Sequence, residues 1–184
     1  MTFRDGPIDG ILWKPLTFYK DPRGWLCELF RHDEMPEPYH PVMAYVSMTE
    51  PGVARGPHEH VDQSDYFCFI GPSDFKVYLW DARPQSATYG NKEVRVVGDS
   101  APFGLVVPPG VVHAYKNVGG GKGVVFNGAN RLYKGWGKKE PVGPGAGRLT
   151  RLGAIGFFSY TAPSYTVTGR LSKRVARPQR IHQI

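Results

Sequence analysis

The stretch RGPHEHVDQSDYFCFIG, residues 55–71, contains two histidines one residue apart, an acidic residue and an uninterrupted apolar run that glycine ends. The apolar run is short and rich in aromatic residues, which is typical of a β-strand covered on both faces. His58 and His60, two positions apart on a strand, would direct their side chains to the same face. The stretch therefore predicts a buried strand beside a histidine-lined site.

Short strands of this kind are predicted along the whole of residues 1–142. Runs rich in β-branched and aromatic residues alternate with clusters of Gly, Pro, Asn, Asp or Ser at spacings of roughly ten residues. With 23 Gly and 17 Pro among 184 residues, long helices are not expected. The pattern predicts an all-β fold, a jelly roll or Greek-key barrel of short antiparallel strands.

Charge divides the chain into two parts. Residues 1–142 contain all 16 acidic residues and 16 of the 23 Lys and Arg residues, whereas residues 143–184 contain the other seven basic residues and no acid. We therefore expect a jelly-roll domain over residues 1–142 and an acid-free basic extension, or an aberrant C-terminus, over residues 143–184. The basic end has no interleaved aromatic residues and no recognisable module, so no nucleic-acid partner is expected.

Several features predict a soluble, cytoplasmic protein. The N-terminus lacks a basic start followed by an apolar segment, and no run approaches the ~18 apolar residues of a membrane span. Cys27 and Cys68 each lie in an apparent strand and are interpreted as buried thiols rather than as a disulfide.

A second informative stretch is GLVVPPGVVHAYKN, residues 104–117, which contains Pro108-x-Gly110-x-x-His113-x-x-x-Asn117. If His113 and Asp65 reach the same interior as His58 and His60, three imidazoles and a carboxylate meet there. That set suits Zn, Fe, Mn or Ni. In a dry cavity the same groups could instead transfer protons, so both readings stay open.

Together the two stretches resemble the paired motifs of the cupin superfamily, which are small jelly-roll barrels. A narrower resemblance covers roughly residues 15–135: DPRGWLCELF, GVARGPH, DARPQSATYG and VPPGVVHAY occur in the order of the landmarks of the dTDP-4-dehydrorhamnose 3,5-epimerase family. This resemblance implies a homodimeric cupin that needs no metal or other cofactor. It also implies a substrate in which dTDP carries a 4-keto-6-deoxyhexose.

The resemblance further implies a role for each matching residue. His58 matches the base that removes a proton next to the ketone, His113 matches a second pocket histidine, and Asp81 could orient His113. Arg55 matches an arginine that holds the diphosphate, and its planar fork suits phosphate oxygens. The site residues implied are catalytic His58 and His113, and substrate-binding Arg23, Glu28, Arg55, His60 and Asp81, with Arg23 and Glu28 reaching the nucleotide partly across the dimer.

The chain also departs from the family pattern. Asp65 stands where the family has a lysine that stabilises the enolate, and Phe126 stands where it has the tyrosine that returns a proton. The aspartate that pairs with the base falls in the acid-free region, and Tyr115 or Tyr133 is a candidate for the missing phenol. At His-x-His the chain is more similar to the related 3,4-ketoisomerases, which move protons with two histidines.

Three functions therefore remain open. The first, which we favour because landmarks outside the histidine cluster support it, is an epimerase or isomerase in deoxysugar biosynthesis with His58 as base. The second is a mononuclear metal-dependent cupin, an oxygenase or isomerase, with ligands His58, His60, Asp65 and His113. The third is a catalytically silent cupin that binds a sugar nucleotide.

Overall fold

The computed structural model describes residues 2–140 of the chain, so the predicted extension over residues 143–184 lies outside the described residues. Within them, almost all regular structure is β-strand, and no helix there is long and apolar enough to cross a membrane. The strands are β1 (Arg4–Asp5), β2 (Leu12–Pro15), β3 (Phe18–Asp21), β4 (Gly24–Cys27), β5 (Met43–Thr49), β6 (Ala54–His58), β7 (Asp65–Phe69), β8 (Asp74–Asp81), β9 (Asn91–Gly98), β10 (Phe103–Val107), β11 (Val111–Asn117) and β12 (Gly123–Ala129). Three 3₁₀ turns cover His32–Glu34, Glu37–Tyr39 and Trp136–Lys138.

Two five-stranded sheets make up the body of the fold. The strand order is β1-β9-β8-β11-β6 in the first sheet and β2-β10-β7-β12-β5 in the second, while β3 and β4 form a separate hairpin. All neighbouring strands run antiparallel except β1 and β9. The all-β prediction is confirmed, although β1 and β6 were not among the strands that the apolar runs indicated.

The two sheets pack face to face over one hydrophobic core. Phe75, Val77 and Leu79 project from the first sheet, and Phe67 and Phe69 meet them from β7 of the second. Burial of these large side chains is the main stabilising term in such a fold, at about 1.5–3 kcal/mol for each fully buried one.

Strand β7 is buried on both faces, which explains its unbroken apolar sequence. Phe67 and Phe69 face the core between the sheets, whereas Tyr66 and Cys68 face a second apolar cluster on the outer side of the same sheet. That cluster is covered by side chains of the segment from residue 27 to residue 39. The Tyr66 hydroxyl donates to the Leu29 carbonyl at 2.5 Å, which ties the covering segment to the strand.

Strands β5 and β6 are each an edge strand, β6 of the first sheet and β5 of the second. Gly56 lets β6 approach β11 closely: its φ is +97°, and a Cβ there would lie 2.7 Å from the His113 carbonyl oxygen. Glycine is the residue that accepts such a backbone without strain. The close approach places His58, at the end of β6, opposite His113 on β11.

Candidate active site

A large pocket opens where β5 begins and β6 and β12 end. Its volume is about 1040 Å³, which is ample for a nucleotide-sized ligand. The pocket is lined by Met43, Ala44, Tyr45, His58, His60, Gln63, Ala129, Leu132, Tyr133, Gly135, Trp136, Gly137 and Lys138. Both histidines of the first motif therefore face one cavity.

His58 reaches the pocket from a strand and His60 from the loop that follows it. His58 is the last residue of β6, whereas His60 lies two residues beyond the strand, so the expectation that both lie on one strand is wrong. Withdrawal from water in the pocket, together with the charge of His60, lowers the pKa of His58 below its usual 6.5. At neutral pH His58 is therefore uncharged and able to accept a proton.

Asp65 is the centre of the buried part of the site. Its Oδ2 lies 3.0 Å from His60 Nε2 and 3.5 Å from His113 Nε2. Its Oδ1 accepts hydrogen bonds from Gln63 Nε2 at 3.0 Å and from Asn127 Nδ2 at 3.2 Å. Burial alone would raise the pKa of Asp65, but the hydrogen bond with His60, the electrostatic influence of the two neighbouring imidazoles and the Asn127 hydrogen bond lower it, so the group is a carboxylate.

His113 does not line the pocket; its ring lies next to that of His60, with centroids 5.7 Å apart, and approaches the same Asp65 oxygen. Its Nδ1 lies 3.1 Å from the Val111 carbonyl, which can only accept, so Nδ1 carries the proton. Its Nε2 is buried and has no hydrogen-bond partner among residues 2–140. Complete burial lowers the pKa of His113 to about 4, so the ring is neutral at physiological pH.

Tyr45 and Asn127 belong to the site, although neither was among the site residues predicted from sequence; Tyr45 stands only where the family has an asparagine that contacts the nucleotide. Tyr45 lines the pocket, and its hydroxyl lies 2.6 Å from Asn127 Nδ2, the same nitrogen that donates to Asp65. Burial and the Asp65 charge raise the pKa of Tyr45 to about 12. Neither residue is in a recognisable motif; the available signal was a polar Asn inside the apolar strand GVVFNGA.

Three of the predicted substrate-binding residues do not line the pocket. Arg55 is exposed on β6, and its Nε and Nη2 donate to Thr49 Oγ1 at 2.8 Å and to the Met48 carbonyl at 2.7 Å on β5. Arg23 lies in the β3–β4 turn, paired with Asp21 and 90% exposed. Glu28 follows β4, 3.8 Å from Arg31.

The structure does not bring Asp81 to His113. The buried Asp81 carboxylate accepts hydrogen bonds from Arg83 Nε at 2.9 Å and from the hydroxyls of Ser86 and Thr88 at 2.6 Å each. These bonds hold the pKa of Asp81 well below its usual range although burial opposes them. The DARPQSATYG motif thus forms a turn whose own side chains bond Asp81. The predicted contact by which Asp81 would orient His113 is not among the contacts of Asp81.

The aromatic residues weighed as proton donors lie in three different environments. Phe126 is on the outer face of β12, stacked on Phe30 with ring centroids 6.5 Å apart, so it does not face the pocket at all. Tyr115 is buried in the core, and its hydroxyl lies 3.1 Å from Ser47 Oγ. Tyr133 lines the pocket.

Three of the four predicted metal ligands lie together. One ligand atom each from His60, Asp65 and His113 can be chosen so that all lie within 4.8 Å of one another. His58 is not a member of this group, although it lines the same pocket as His60. In the cluster Asp65 and His113 are buried and His60 reaches the pocket, where His58 is a second accessible histidine.

Comparison with solved structures identifies the fold. The fold matches that of the dTDP-6-deoxy-D-glucose-3,5-epimerase from Legionella pneumophila Philadelphia 1, solved in complex with dTDP-4-keto-L-rhamnose, with a TM-score of 0.61. The match has 20% sequence identity and covers 70% of this chain and 71% of that chain. The two-sheet architecture is therefore the fold of this epimerase, which confirms the predicted all-β jelly-roll fold class.

Residues 5–134 match the sequence profile of the dTDP-4-dehydrorhamnose 3,5-epimerase family, and the chain belongs to this family. Two relatives agree. The spore coat polysaccharide biosynthesis protein SpsL of Bacillus subtilis (strain 168) is 37% identical over 113 residues, which cover 61% of this chain and 73% of SpsL. The probable low-salt glycan biosynthesis epimerase Agl13 of Haloferax volcanii is 35% identical over 122 residues, which cover 65% of this chain and 77% of Agl13.

The family membership confirms the predicted enzyme class. The chain is an isomerase, either a dTDP-sugar 3,5-epimerase or a related sugar-nucleotide epimerase. The comparisons give no support to the alternative of a metal-dependent cupin oxygenase or isomerase.

Proposed function

We propose that this enzyme inverts a carbon next to the ketone of a 4-keto-6-deoxyhexose carried on dTDP, with His58 as the base. The observation that carries the proposal is that His58, whose lowered pKa leaves it uncharged at neutral pH, lies on the wall of a large pocket. The Legionella epimerase with this fold was solved with a dTDP-linked 4-keto sugar, which supports the substrate class.

The proposed chemistry needs proton transfer only. A ketone acidifies the hydrogens on its neighbouring carbons, so a neutral imidazole can remove one of them. The electron pair of the C–H bond moves into an enolate, and return of a proton to the opposite face inverts the carbon. We therefore infer that no cofactor is required, and we expect the enzyme to act in the cytoplasm.

We propose that basic groups around the pocket bind the diphosphate of the nucleotide. Arg55 is fixed against β5 by two hydrogen bonds, and its charge contributes to the lowered pKa of His58, so its guanidinium is close to the base. Its fork suits a diphosphate oxygen pair. Lys138, on the pocket wall, is a second cation available to the diphosphate.

We further propose a homodimer in which the β3–β4 hairpin contributes to the partner's site. Val46 and Met48 on the edge strand β5 are 65% and 55% exposed, and Leu26 in the hairpin is 64% exposed. Exposed apolar side chains on an unpaired edge are typical of a surface that another chain covers. Such pairing would explain why Arg23 and Glu28 lie away from the pocket of their own chain.

The dimer can be tested by size-exclusion chromatography with light scattering, which gives the molar mass of the eluting protein. Val46→Lys combined with Met48→Lys is expected to give the monomer mass. Val96→Lys is the matched control, because Val96 is an exposed strand valine of the other sheet. A monomeric wild-type protein would contradict the proposal.

Solvent-deuterium exchange tests the proposed reaction. Wild-type enzyme in D₂O should incorporate deuterium next to the ketone of dTDP-4-keto-6-deoxyglucose, detected by NMR. His58→Ala should lower the exchange rate by roughly 10²–10⁴-fold, the usual contribution of a general base. His32→Ala, a change of a histidine outside the pocket, should leave the rate unchanged. Wild-type exchange no faster than that of His58→Ala would support the catalytically silent binding protein instead.

A 3,4-ketoisomerase reaction is the second candidate. It is favoured by the observation that His58 and His60 line the same pocket, because moving the ketone from C4 to C3 requires protons to be carried between neighbouring atoms. The two reactions give different products. An NMR spectrum with the ketone still at C4 and an inverted neighbour supports epimerisation, whereas a ketone at C3 supports the ketoisomerase.

A further inference from the structure

Inversion of a carbon needs a proton donor on the side of the sugar away from the base. The family position for that donor falls on Phe126, which has no acidic proton and packs on the outer face of its sheet. The donor must therefore come from another part of the pocket wall. The following inference depends on the proposed epimerase function.

Tyr45 and His58 reach the pocket from different sheets. His58 ends β6, the edge strand of one sheet, and Tyr45 lies in β5, the edge strand of the other sheet. Both side chains line the same pocket. Tyr45 is 48% exposed, so its side chain is accessible from the pocket that it lines.

The hydrogen bonds around Tyr45 leave its proton free for the pocket. Asp65 is a carboxylate and can only accept, so the atom of Asn127 that lies 3.2 Å from it must be the amide nitrogen. The same nitrogen lies 2.6 Å from the Tyr45 oxygen, which therefore accepts this second bond. The phenol hydrogen takes no part in it, and no acceptor for it is found among residues 2–140.

The other two candidate phenols are less well placed. Tyr115 is 8% exposed and its hydroxyl is engaged with Ser47, so a sugar cannot reach it. Tyr133 lines the pocket, but among the described residues no side chain orients its hydroxyl. Tyr45 alone of the three combines access with a fixed orientation.

We propose that Tyr45 is the proton donor of the reaction, held in place by Asn127 and Asp65. His58 removes the proton from the carbon next to the ketone, and the enolate collapses as the Tyr45 O–H gives its proton to the other face of that carbon. The Tyr45 oxygen keeps the electron pair of the broken O–H bond. The proton on His58 and the proton missing from Tyr45 then equilibrate through solvent, so the enzyme returns to its starting state.

The charge around the phenol suits this role. Burial and Asp65 raise the pKa of Tyr45 to about 12, so the group stays protonated throughout the neutral range. A phenol with that pKa is still much more acidic than a carbon next to a ketone, so transfer to the enolate carbon is downhill.

The test is to separate exchange from inversion in Tyr45→Phe. In D₂O this variant should still exchange the hydrogen next to the ketone, because His58 can remove it and return deuterium to the same face. Formation of the inverted product should fall by about 100-fold or more, the usual contribution of a positioned acid. A residue with a purely structural role would change both rates together.

Two further variants complete the experiment. Tyr115→Phe removes a phenol that is not in the pocket and should invert at the wild-type rate. Three results would each overturn the proposal. Tyr45→Phe could invert at the wild-type rate, or a folded Tyr45→Phe protein could lose exchange and inversion equally. The third is loss of inversion in Tyr133→Phe but not in Tyr45→Phe. Absence of exchange in the wild-type enzyme would overturn the proposed function itself, and this inference with it.

Discussion

Asp65 and Asp81 are both buried carboxylates at an end of a strand, 2% and 0% exposed, yet they are held in different ways. All three side chains that bond Asp81 come from the turn that immediately follows it. The groups around Asp65 come from its own loop and from the distant strands β11 and β12, and the assembly borders the pocket. A carboxylate satisfied within its own turn stabilises structure, whereas one that orients side chains from several strands at a cavity can serve chemistry.

The largest expected effect is on the activity of Asp65→Asn. When the amide nitrogen replaces Oδ2, His60 loses the acceptor that orients it, while Oδ1 still accepts from Asn127, so kcat/KM should fall by about 100-fold or more. Stability should change by less than about 1 kcal/mol, since the new amide can donate to the unpartnered Nε2 of His113. Steady-state kinetics and urea unfolding measure the two quantities.

Asp62→Asn is the matched control for Asp65→Asn. Asp62 lies three residues earlier, is 67% exposed and pairs with Arg131 at the surface. Its replacement should leave kcat/KM unchanged, because exposed ion pairs contribute little. Wild-type activity in Asp65→Asn would contradict the conclusion that Asp65, unlike Asp81, serves the reaction.

The next largest effect is a loss of stability on mild acidification, caused by His113. Its pKa is about 4 in the folded protein and 6.5 as a model value for the unfolded chain, so the unfolded state binds the proton first as the pH falls. The free energy of unfolding should therefore fall between about pH 6.5 and pH 4, by about 3 kcal/mol from this residue. The lowered pKa of His58 acts in the same direction.

Urea unfolding at a series of pH values tests this assignment. His113→Gln should flatten the dependence between pH 6.5 and pH 4. The Asp81 contribution has the same sign, but because its folded pKa is lowered from 3.8 it should be lost only at still lower pH. A slope that is unchanged in His113→Gln would contradict the assignment.

A smaller effect is expected for Asp81→Asn. Neutralising this carboxylate removes charge-assisted hydrogen bonds from Arg83, Ser86 and Thr88, which should cost about 2 kcal/mol of unfolding free energy. The folded variant should keep the wild-type kcat, since Asp81 does not contact the histidine cluster. Asp5→Asn, a change at an 86% exposed side chain, is the control and should be neutral. A large fall in kcat for Asp81→Asn would restore the orienting role that its sequence motif implied.

The smallest expected effect is that of chelation. Dialysis against EDTA should leave kcat/KM unchanged, and Zn²⁺, Fe²⁺, Mn²⁺ or Ni²⁺ should not raise it, because the proposed reaction transfers protons only. Metal analysis of the dialysed protein is the control for complete removal. Activity that is lost on chelation and regained with one of these ions would make His60, Asp65 and His113 metal ligands instead of proton-transfer partners.

Much of the fold and part of the site could be predicted from sequence. Apolar runs interrupted by Gly and Pro indicated most strands, and the two histidine motifs correctly brought His58, His60, Asp65 and His113 to one region. The strand β6 was missed because its sequence, ARGPH, has neither an apolar run nor β-branched residues. It is a strand because it pairs with β11, which is a property of the sheet.

The sequence predictions that failed for individual residues have one common cause. On a strand, neighbouring side chains point to opposite faces, so the contacts of each one depend on strand register. In β12, Phe126 faces the outer cluster and the adjacent Asn127 reaches Asp65 and Tyr45, although the sequence analysis had singled out Phe126. The motif around Asp81 was recognised from sequence, but the hydrogen bonds of Asp81 to Arg83, Ser86 and Thr88 were not predicted.

Local chemistry along the chain was enough to predict an all-β protein of the epimerase family with a histidine site, because strand patterns and motif spacings are written in consecutive residues. Which wall of the pocket carries a free phenol, and which of two buried carboxylates faces that pocket, depends on strands far apart in sequence. Those contacts form when the two sheets pack and their registers are set, so only the tertiary structure decides them.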